Sequence, residues 1–272
     1  MKKNFIVCCC LCITIVASSQ DSLQKSKLCL GSLEELKTLS TLWQQNAAEY
    51  RALCYQAFNT ATTQIADIPS RKFRKEKITI ITDLDETILD NSYSEAELIK
   101  QNRSWNPASW KQWSDLSAAT AVPGAIAFLQ YAKQKGATIF YVSNRSVSEV
   151  AATLINLKKL NLPDADTSHM LFMLNESSKE TRRQTIMKNY KVVMLMGDNL
   201  NDFTSAFEGK NIRDRFAETD KAKGEWGKKF IVLPNATYGE WENALYNYQH
   251  GLSDEQKLKQ LLSLLKGIDT VH

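Results

Sequence analysis

The run Ile78-Thr79-Ile80-Ile81-Thr82, followed at once by Asp83-Leu84-Asp85-Glu86-Thr87, constrains this chain more than any other stretch. The run reads as a buried strand. Side chains alternate along a strand, so Asp83 and Asp85 point to the same face. The backbone there is leaving the sheet, which puts both acids in the crevice where open α/β folds bind ligands. Two carboxylates so close are costly unless a cation or a reaction needs them. One acid can attack a phosphorus atom while the other handles protons. Taken alone, an acidic turn after a strand is common.

Further runs give the pair a setting. Strands are expected at 78–83, 137–142, 170–174, 192–197 and 229–233, with helices at 125–135, 147–159 and 179–189 between them. That alternation implies an α/β fold with a parallel sheet covered on both faces. Leu33, Leu36, Leu39, Leu42 and Trp43 recur at helical spacing, and the pattern continues through Phe58, so residues 33–67 read as helical. Ile68-Pro69-Ser70 breaks it, and the basic run Arg71 to Lys77 leads into the first strand. Residues 92–120, rich in Trp and polar groups, read as an insertion after that strand. Ser253 to Lys266 reads as an amphipathic surface helix.

Three of the later strand-like runs lead toward polar motifs. Tyr141-Val142-Ser143-Asn144-Arg145 closes the second, Lys179 lies in a polar stretch after the third, and Gly197-Asp198-Asn199-Leu200-Asn201-Asp202 closes the fourth. The ordered series Asp-x-Asp, Ser, Lys, Gly-Asp-x-x-x-Asp resembles the haloacid dehalogenase superfamily of phosphohydrolases. Asp83 to Asn91, Ala121-Val122-Pro123-Gly124, Ser143-Asn144-Arg145, Asp198 to Phe203 and the segment Gly227 to Trp241 resemble more closely the class C acid phosphatases. The likeness covers about residues 75 to 245. It implies a Rossmannoid three-layer sandwich, strand order 5-4-1-2-3, and a mainly helical cap made from the insertion and the N-terminal segment 20–75. The catalytic core then spans 76–250 and a C-terminal helix 251–272.

The resemblance also implies roles. Asp83 is the expected nucleophile, forming an aspartyl-phosphate, and Asp85 the general acid and base. Asp83, the backbone carbonyl of Asp85 and Asp198 are the expected ligands of Mg²⁺, whose preference is for oxygen donors. Asp202 is expected to brace them from behind. Ser143, with Asn144 beside it, is expected on the phosphoryl oxygens, and Lys179 to offset negative charge in the transition state. Asn144 and Arg145 orient the phosphate or brace the turn; Asp90 and Asn91 cap a helix or shape the cap hinge. In dehalogenating relatives the position two after the nucleophile is not acidic, so Asp85 favours phosphate-ester cleavage.

Substrate choice is expected from aromatic residues, because flat rings can stack on any base. Trp105, Trp110 and Tyr238 occupy the family's substrate-binding segments, whereas Trp113 is expected to pack in the cap. The proline that usually follows Asn91-Ser92 is Tyr93 here. Nucleotides are the expected phosphomonoesters. A sugar-phosphate phosphatase, or a non-catalytic binding or storage protein of the same fold, are the other readings; the intact Asp83 weighs against the last. A homodimer is compatible with the family.

The N-terminus resembles an export leader. Lys2 and Lys3 precede the apolar stretch Phe5 to Val16, and Ala17-Ser18-Ser19 supplies small residues for cleavage before Gln20. Val7 and Leu11 stand before Cys8 and Cys12, a departure from lipid-anchored members that favours a soluble periplasmic or secreted protein. Removing residues 1–19 takes two of the four units of positive charge, +4 minus 2, leaving +2. A net charge so small argues against binding nucleic-acid polymers. His169, His250 and His272 are scattered, which disfavours histidine-nucleophile and His-rich dimetal phosphatases. Cys29 and Cys54 remain after leader removal, either as a disulfide closing a loop of about 25 residues or as two buried thiols.

Overall fold

A computed structural model describes residues 33–268. The leader 1–19, Cys29 and the last four residues lie outside that range. The helical stretch expected over 33–67 is two helices, α1 (Leu33–Asn46) and α2 (Ala48–Ala66). A short helix, α3 (Ser70–Glu76), then leads into β1 (Ile78–Thr82), every residue of which is buried. The basic run before the first strand is therefore helical, anchored by the buried ring of Phe73.

The insertion begins and ends in two-residue strands, β2 (Leu89–Asp90) and β3 (Thr120–Ala121), which pair antiparallel and form its neck. Between them lie α4 (Ser92–Lys100) and α5 (Pro107–Asp115). The start of α5 follows from local chemistry. Asn106 accepts the N–H groups of Ala108 and Ser109, and Pro107 stands at the first helical position, where its missing donor costs nothing.

The chain then alternates: α6 (Ala125–Lys135), β4 (Thr138–Ser146), α7 (Val150–Lys159), β5 (Met170–Met173), α8 (Glu180–Met187) and β6 (Lys191–Gly197). After it come α9 (Ile212–Lys221), β7 (Phe230–Val232), α10 (Glu240–Leu245) and α11 (Asp254–Leu264). The five parallel strands lie in the order β5-β4-β1-β6-β7, the arrangement that the motif series implies, with β1 central. Alternate residues of the strands sort onto the two faces. Ile78, Ile80, Ile139, Tyr141, Met194 and Met196 join one apolar cluster with Phe58, Phe128 and Leu157 from the helices. Ile81, Phe140, Val142 and Leu195 join the other with Ile186 and Phe203.

The two N-terminal helices have different jobs. α2 packs on α6 and buries Tyr50, Cys54, Phe58, Ala61 and Ile65 in the main core; α1 packs on α4 of the insertion. Of the expected apolar stripe of α1, Trp43 packs against the main core, but three of the leucines stay open. Leu39 is 78% exposed and Leu36 and Leu42 are also open, whereas Thr41 and Gln44 face inward. The reason is a polar partner: Gln44 donates to Asp90 at 2.9 Å and accepts from Thr237 at 3.3 Å. Among the described residues, no helix is long and apolar enough to cross a membrane.

Candidate active site

Asp83 follows the last residue of β1, and its N–H still bonds the Met196 carbonyl of β6 at 2.9 Å. That bond keeps the carboxylate at the carboxyl edge of the sheet. Lys179, at the entrance of α8, reaches across to it. Its Nζ lies 2.6 Å from an Asp83 oxygen and 2.6 Å from an Asp202 oxygen. The second Asp202 oxygen accepts the Asn199 N–H at 3.1 Å. Arg183, wholly buried, donates to the carbonyls of Asn201 and Asp202 and so ties α8 to this turn. The turn depends on Gly197: a Cβ there would stand 2.2 Å from the Asp202 carboxylate.

Asp198 accepts from Asn235 Nδ2 at 2.8 Å and from the Thr87 hydroxyl at 3.3 Å. Asp83, Asp198 and Asp202 each offer an oxygen within 4.8 Å of the others. Both carboxylate oxygens of Asp202 are already engaged, by Lys179 and by Asn199, so Asp202 fits the bracing part. Burial is the first cause that raises the Asp83 carboxyl to about 7; Lys179 opposes the rise, and Asp202 and Asp85 add to it. Burial likewise lifts Asp198 well above the carboxylate range, with Asp202 and Asp83 reinforcing it. Lys179 is raised, because the two aspartates outweigh the burial that pulls it down. The cluster thus holds more negative charge than one lysine offsets. Its donors are all hard oxygens, and a divalent cation fits that deficit.

Asp85 points to the same crevice but into a different setting. Arg145 clamps it, with Nη2 at 2.7 Å and Nε at 3.0 Å from Oδ1. Asn91 Nδ2 lies 2.9 Å from the same oxygen, and the Ser143 hydroxyl lies 3.4 Å from Oδ2. Ser143 to Arg145 belong to the end of β4 rather than to a turn after it. There the pairing with β5 skips from Val142–Leu171 to Ser146–Met173, and this irregularity re-aims the side chains. Ser143 is fully buried and its Oγ also accepts the Arg145 N–H at 3.1 Å. Asn144 is exposed, and its side-chain oxygen accepts from Arg182 at 2.6 Å. Arg182 also donates to the carbonyls of Ser143, Ser177 and Ser178, stitching the end of β4 to the segment before α8.

Asp83, Asp85, Asn144, Arg145, Lys179, Asp198 and Asp202 line a cleft of about 1340 Å³ together with Trp105, Trp110 and Tyr238, whereas the buried Ser143 is not part of its lining. Trp105 is half exposed on it, and the Trp110 ring lies under the Arg145 guanidinium, 5.4 Å from centroid to Cζ. The Tyr238 hydroxyl donates to Glu86. Trp113 stacks on Tyr93 at 6.3 Å and donates to Asn91, as a packing residue would.

Glu86 is a participant that the sequence reading passed over. It is buried, holds a left-handed backbone (φ 54°) and takes donors from Asn91 and Tyr238. Burial, reinforced by Asp85, raises its carboxyl to about 8. Its place inside the acidic motif was the available signal. Asn235 lies in the family-like segment Gly227 to Trp241, whereas Arg182 and Gln44 carried no signal.

Two comparisons bear on this geometry. Residues 17–241 match the family described as HAD superfamily, subfamily IIIB (acid phosphatase). The structure of the class C acid phosphatase from Bacillus anthracis is 38% identical, with a TM-score of 0.82 over 87% of this chain and 99% of that one. The same enzyme with tungstate bound gives a TM-score of 0.81 at the same identity and coverage. With the sheet order, the paired acids and the lysine in place, this likeness carries from fold to chemistry: the chain belongs to subfamily IIIB of the haloacid dehalogenase superfamily, the class C acid phosphatases, and is a phosphoric monoester hydrolase.

Proposed function

We propose that the protein is a Mg²⁺-dependent phosphatase that hydrolyses 5′-nucleotides outside the cytoplasm through an aspartyl-phosphate on Asp83. The observation that carries the reading is the Lys179 ammonium 2.6 Å from Asp83, beside Asp198 and Asp202. A carboxylate facing a phosphate dianion needs positive charge around it, and Lys179 supplies part. Mg²⁺, held by Asp83, Asp198 and the Asp85 carbonyl, supplies the rest of the charge neutralisation when bound. The tungstate carried by the Bacillus anthracis relative is an oxyanion shaped like phosphate, which agrees with a phosphoryl site.

The steps follow from the side chains. An Asp83 oxygen bonds to phosphorus while the ester P–O bond breaks, and Asp85 gives its proton to the departing oxygen. Water then bonds to the same phosphorus, yields its proton to Asp85, and the bond to Asp83 breaks. Phosphate leaves and both acids are restored. Ser143 donates to a phosphoryl oxygen by turning its hydroxyl away from Asp85, with Asn144 bracing the end of β4. Trp105, Trp110 and Tyr238 give the cleft an aromatic lining that favours a planar base. The leader-like N-terminus supports export as a soluble periplasmic or secreted enzyme, and a homodimer is compatible with the family.

The test is phosphate release from a 5′-mononucleotide by the mature protein, with Mg²⁺ or chelator, beside Asp83→Asn. Metal-dependent release that vanishes in the variant supports the reading, and slower release from ribose 5-phosphate supports nucleotide preference. Wild type and variant equally inert on nucleotides and on an aryl phosphate would point to a binding protein instead.

A further inference from the structure

Asn91 occupies the N-cap position of α4, where an Asn side chain ordinarily accepts a backbone N–H of the first turn. It makes no such bond. Asp90 does the local work instead, accepting the Ser92 N–H at 2.9 Å. The Asn91 side chain, 1% exposed, is turned inward. Its Nδ2 donates to Asp85 Oδ1 at 2.9 Å and to Glu86 Oε2 at 3.2 Å. Its Oδ1 accepts from Trp113 Nε1 at 2.8 Å and from Arg145 Nη2 at 3.3 Å. Two carboxylates lie on the donor side and two N–H groups on the acceptor side, so only one orientation of the amide satisfies all four.

The consequence falls on Asp85. Oδ1 receives three N–H donors, from Asn91 and from Nε and Nη2 of Arg145. Oδ2 receives only the longer contacts of Arg145 Nε at 3.2 Å and Ser143 at 3.4 Å. An oxygen crowded by three donors has no room for a proton of its own. We infer that Asn91 is a positioning residue for the reaction, fixing Oδ1 of Asp85 as a hydrogen-bond acceptor only, so that Oδ2 is the oxygen left to face the leaving group. Through Trp113 the same amide ties the cap insertion to this proton transfer. The inference rests on the acid role of Asp85 in the proposed function.

Leaving groups of different acidity provide the test. A p-nitrophenolate departs without a proton, whereas a phenolate gains from one, and both esters share the same ring. kcat/KM would be measured on p-nitrophenyl phosphate and on phenyl phosphate for wild type, Asp85→Asn, Asn91→Ser and Trp113→Phe. Asn91→Ser is expected to lose roughly 10- to 100-fold on phenyl phosphate and less than about threefold on p-nitrophenyl phosphate, following Asp85→Asn. Trp113→Phe, which keeps a ring beside Tyr93 but removes the N–H, shifts the ratio in the same direction by about fivefold. It carries the test by itself if Asn91→Ser does not fold. Equal losses on both esters in the Asn91 and Trp113 variants, with the split present in Asp85→Asn, would overturn the inference and leave Asp85 as the acid. Absence of the split in Asp85→Asn as well would remove the acid role itself, and the inference with it.

Discussion

Lys179 and Asp83 meet in an ion pair of 2.6 Å, with both side chains more than nine-tenths shielded from solvent. The same ammonium also serves Asp202. Lys179→Met therefore leaves two carboxylates buried without their cation. Removing one partner of a buried pair costs about 3–5 kcal/mol. Urea unfolding of the metal-free protein at neutral pH is expected to show a loss of that order, together with loss of phosphatase activity.

Asp83→Asn keeps the shape of the side chain and removes both its charge and the oxygen proposed to attack phosphorus. Activity is expected to fall by about 10⁴-fold or more. The fold should survive, because burial holds this carboxyl near 7 and an amide escapes that cost. Melting temperature without metal, compared at pH 8, is expected to equal or exceed that of wild type.

Acidity and metal should act on stability together. Asp83 rises from 3.8 to about 7 and Glu86 from 4.5 to about 8. A carboxyl whose folded pKa exceeds its unfolded value binds more protons in the folded state across that interval. Stability from these two groups is therefore greatest below about pH 4 and declines as pH climbs toward 7 to 8. Asp166, lowered to about 2 chiefly by its bond from Ser168, works the other way and loses its contribution as pH falls below its ordinary 3.8. The metal-free protein is thus expected to melt at a higher temperature at pH 5.5 than at pH 8. Mg²⁺ should raise the melting point more at pH 8, where protons no longer compete for Asp83. Thermal scans at both values, with Mg²⁺ and with chelator, check the crossover.

Gly197→Ala places a methyl 2.2 Å from the Asp202 carboxylate. Either the turn or Asp202 must move, at an overpacking cost of about 1–3 kcal/mol. A displaced Asp202 releases Lys179 from its fixed position, and misplacement on this scale lowers turnover by about 10²-fold. Steady-state kinetics beside a melting curve separates the two effects: kcat should fall far more than the modest destabilisation explains.

The sheet was legible because its central strands read as short runs of β-branched and apolar residues; Ile78 to Thr82 and Val192 to Met196 are examples. The acids were legible because they end such runs. The helices α3 and α9 were not, since Ser-Arg-Lys-Phe-Arg-Lys-Glu and Ile-Arg-Asp-Arg-Phe-Ala-Glu-Thr-Asp-Lys carry too few apolar positions to set a period. α1 misled in the other direction. Its leucines suggested the buried face, while Gln44 was chosen by hydrogen bonds, one of them to Thr237 at a separation of 193 residues. In the sequence Asn91 reads as a cap or hinge, because Asn at a helix start ordinarily caps. Only the neighbouring Asp90, which takes over the capping, frees its amide for Asp85.

β1 stands in the middle of the sheet, with β4 on one side and β6 on the other. A growing polypeptide makes Asp83, the proposed nucleophile, early but cannot seat it until β6 has been synthesised and has closed the far edge of β1. A chain halted before β6 would carry Asp83 and Asp85 with no Asp198 or Asp202 and an open strand edge. Long-range pairing of this kind is slow and comes late. Activity is therefore expected only from chains long enough to have laid β6 beside β1.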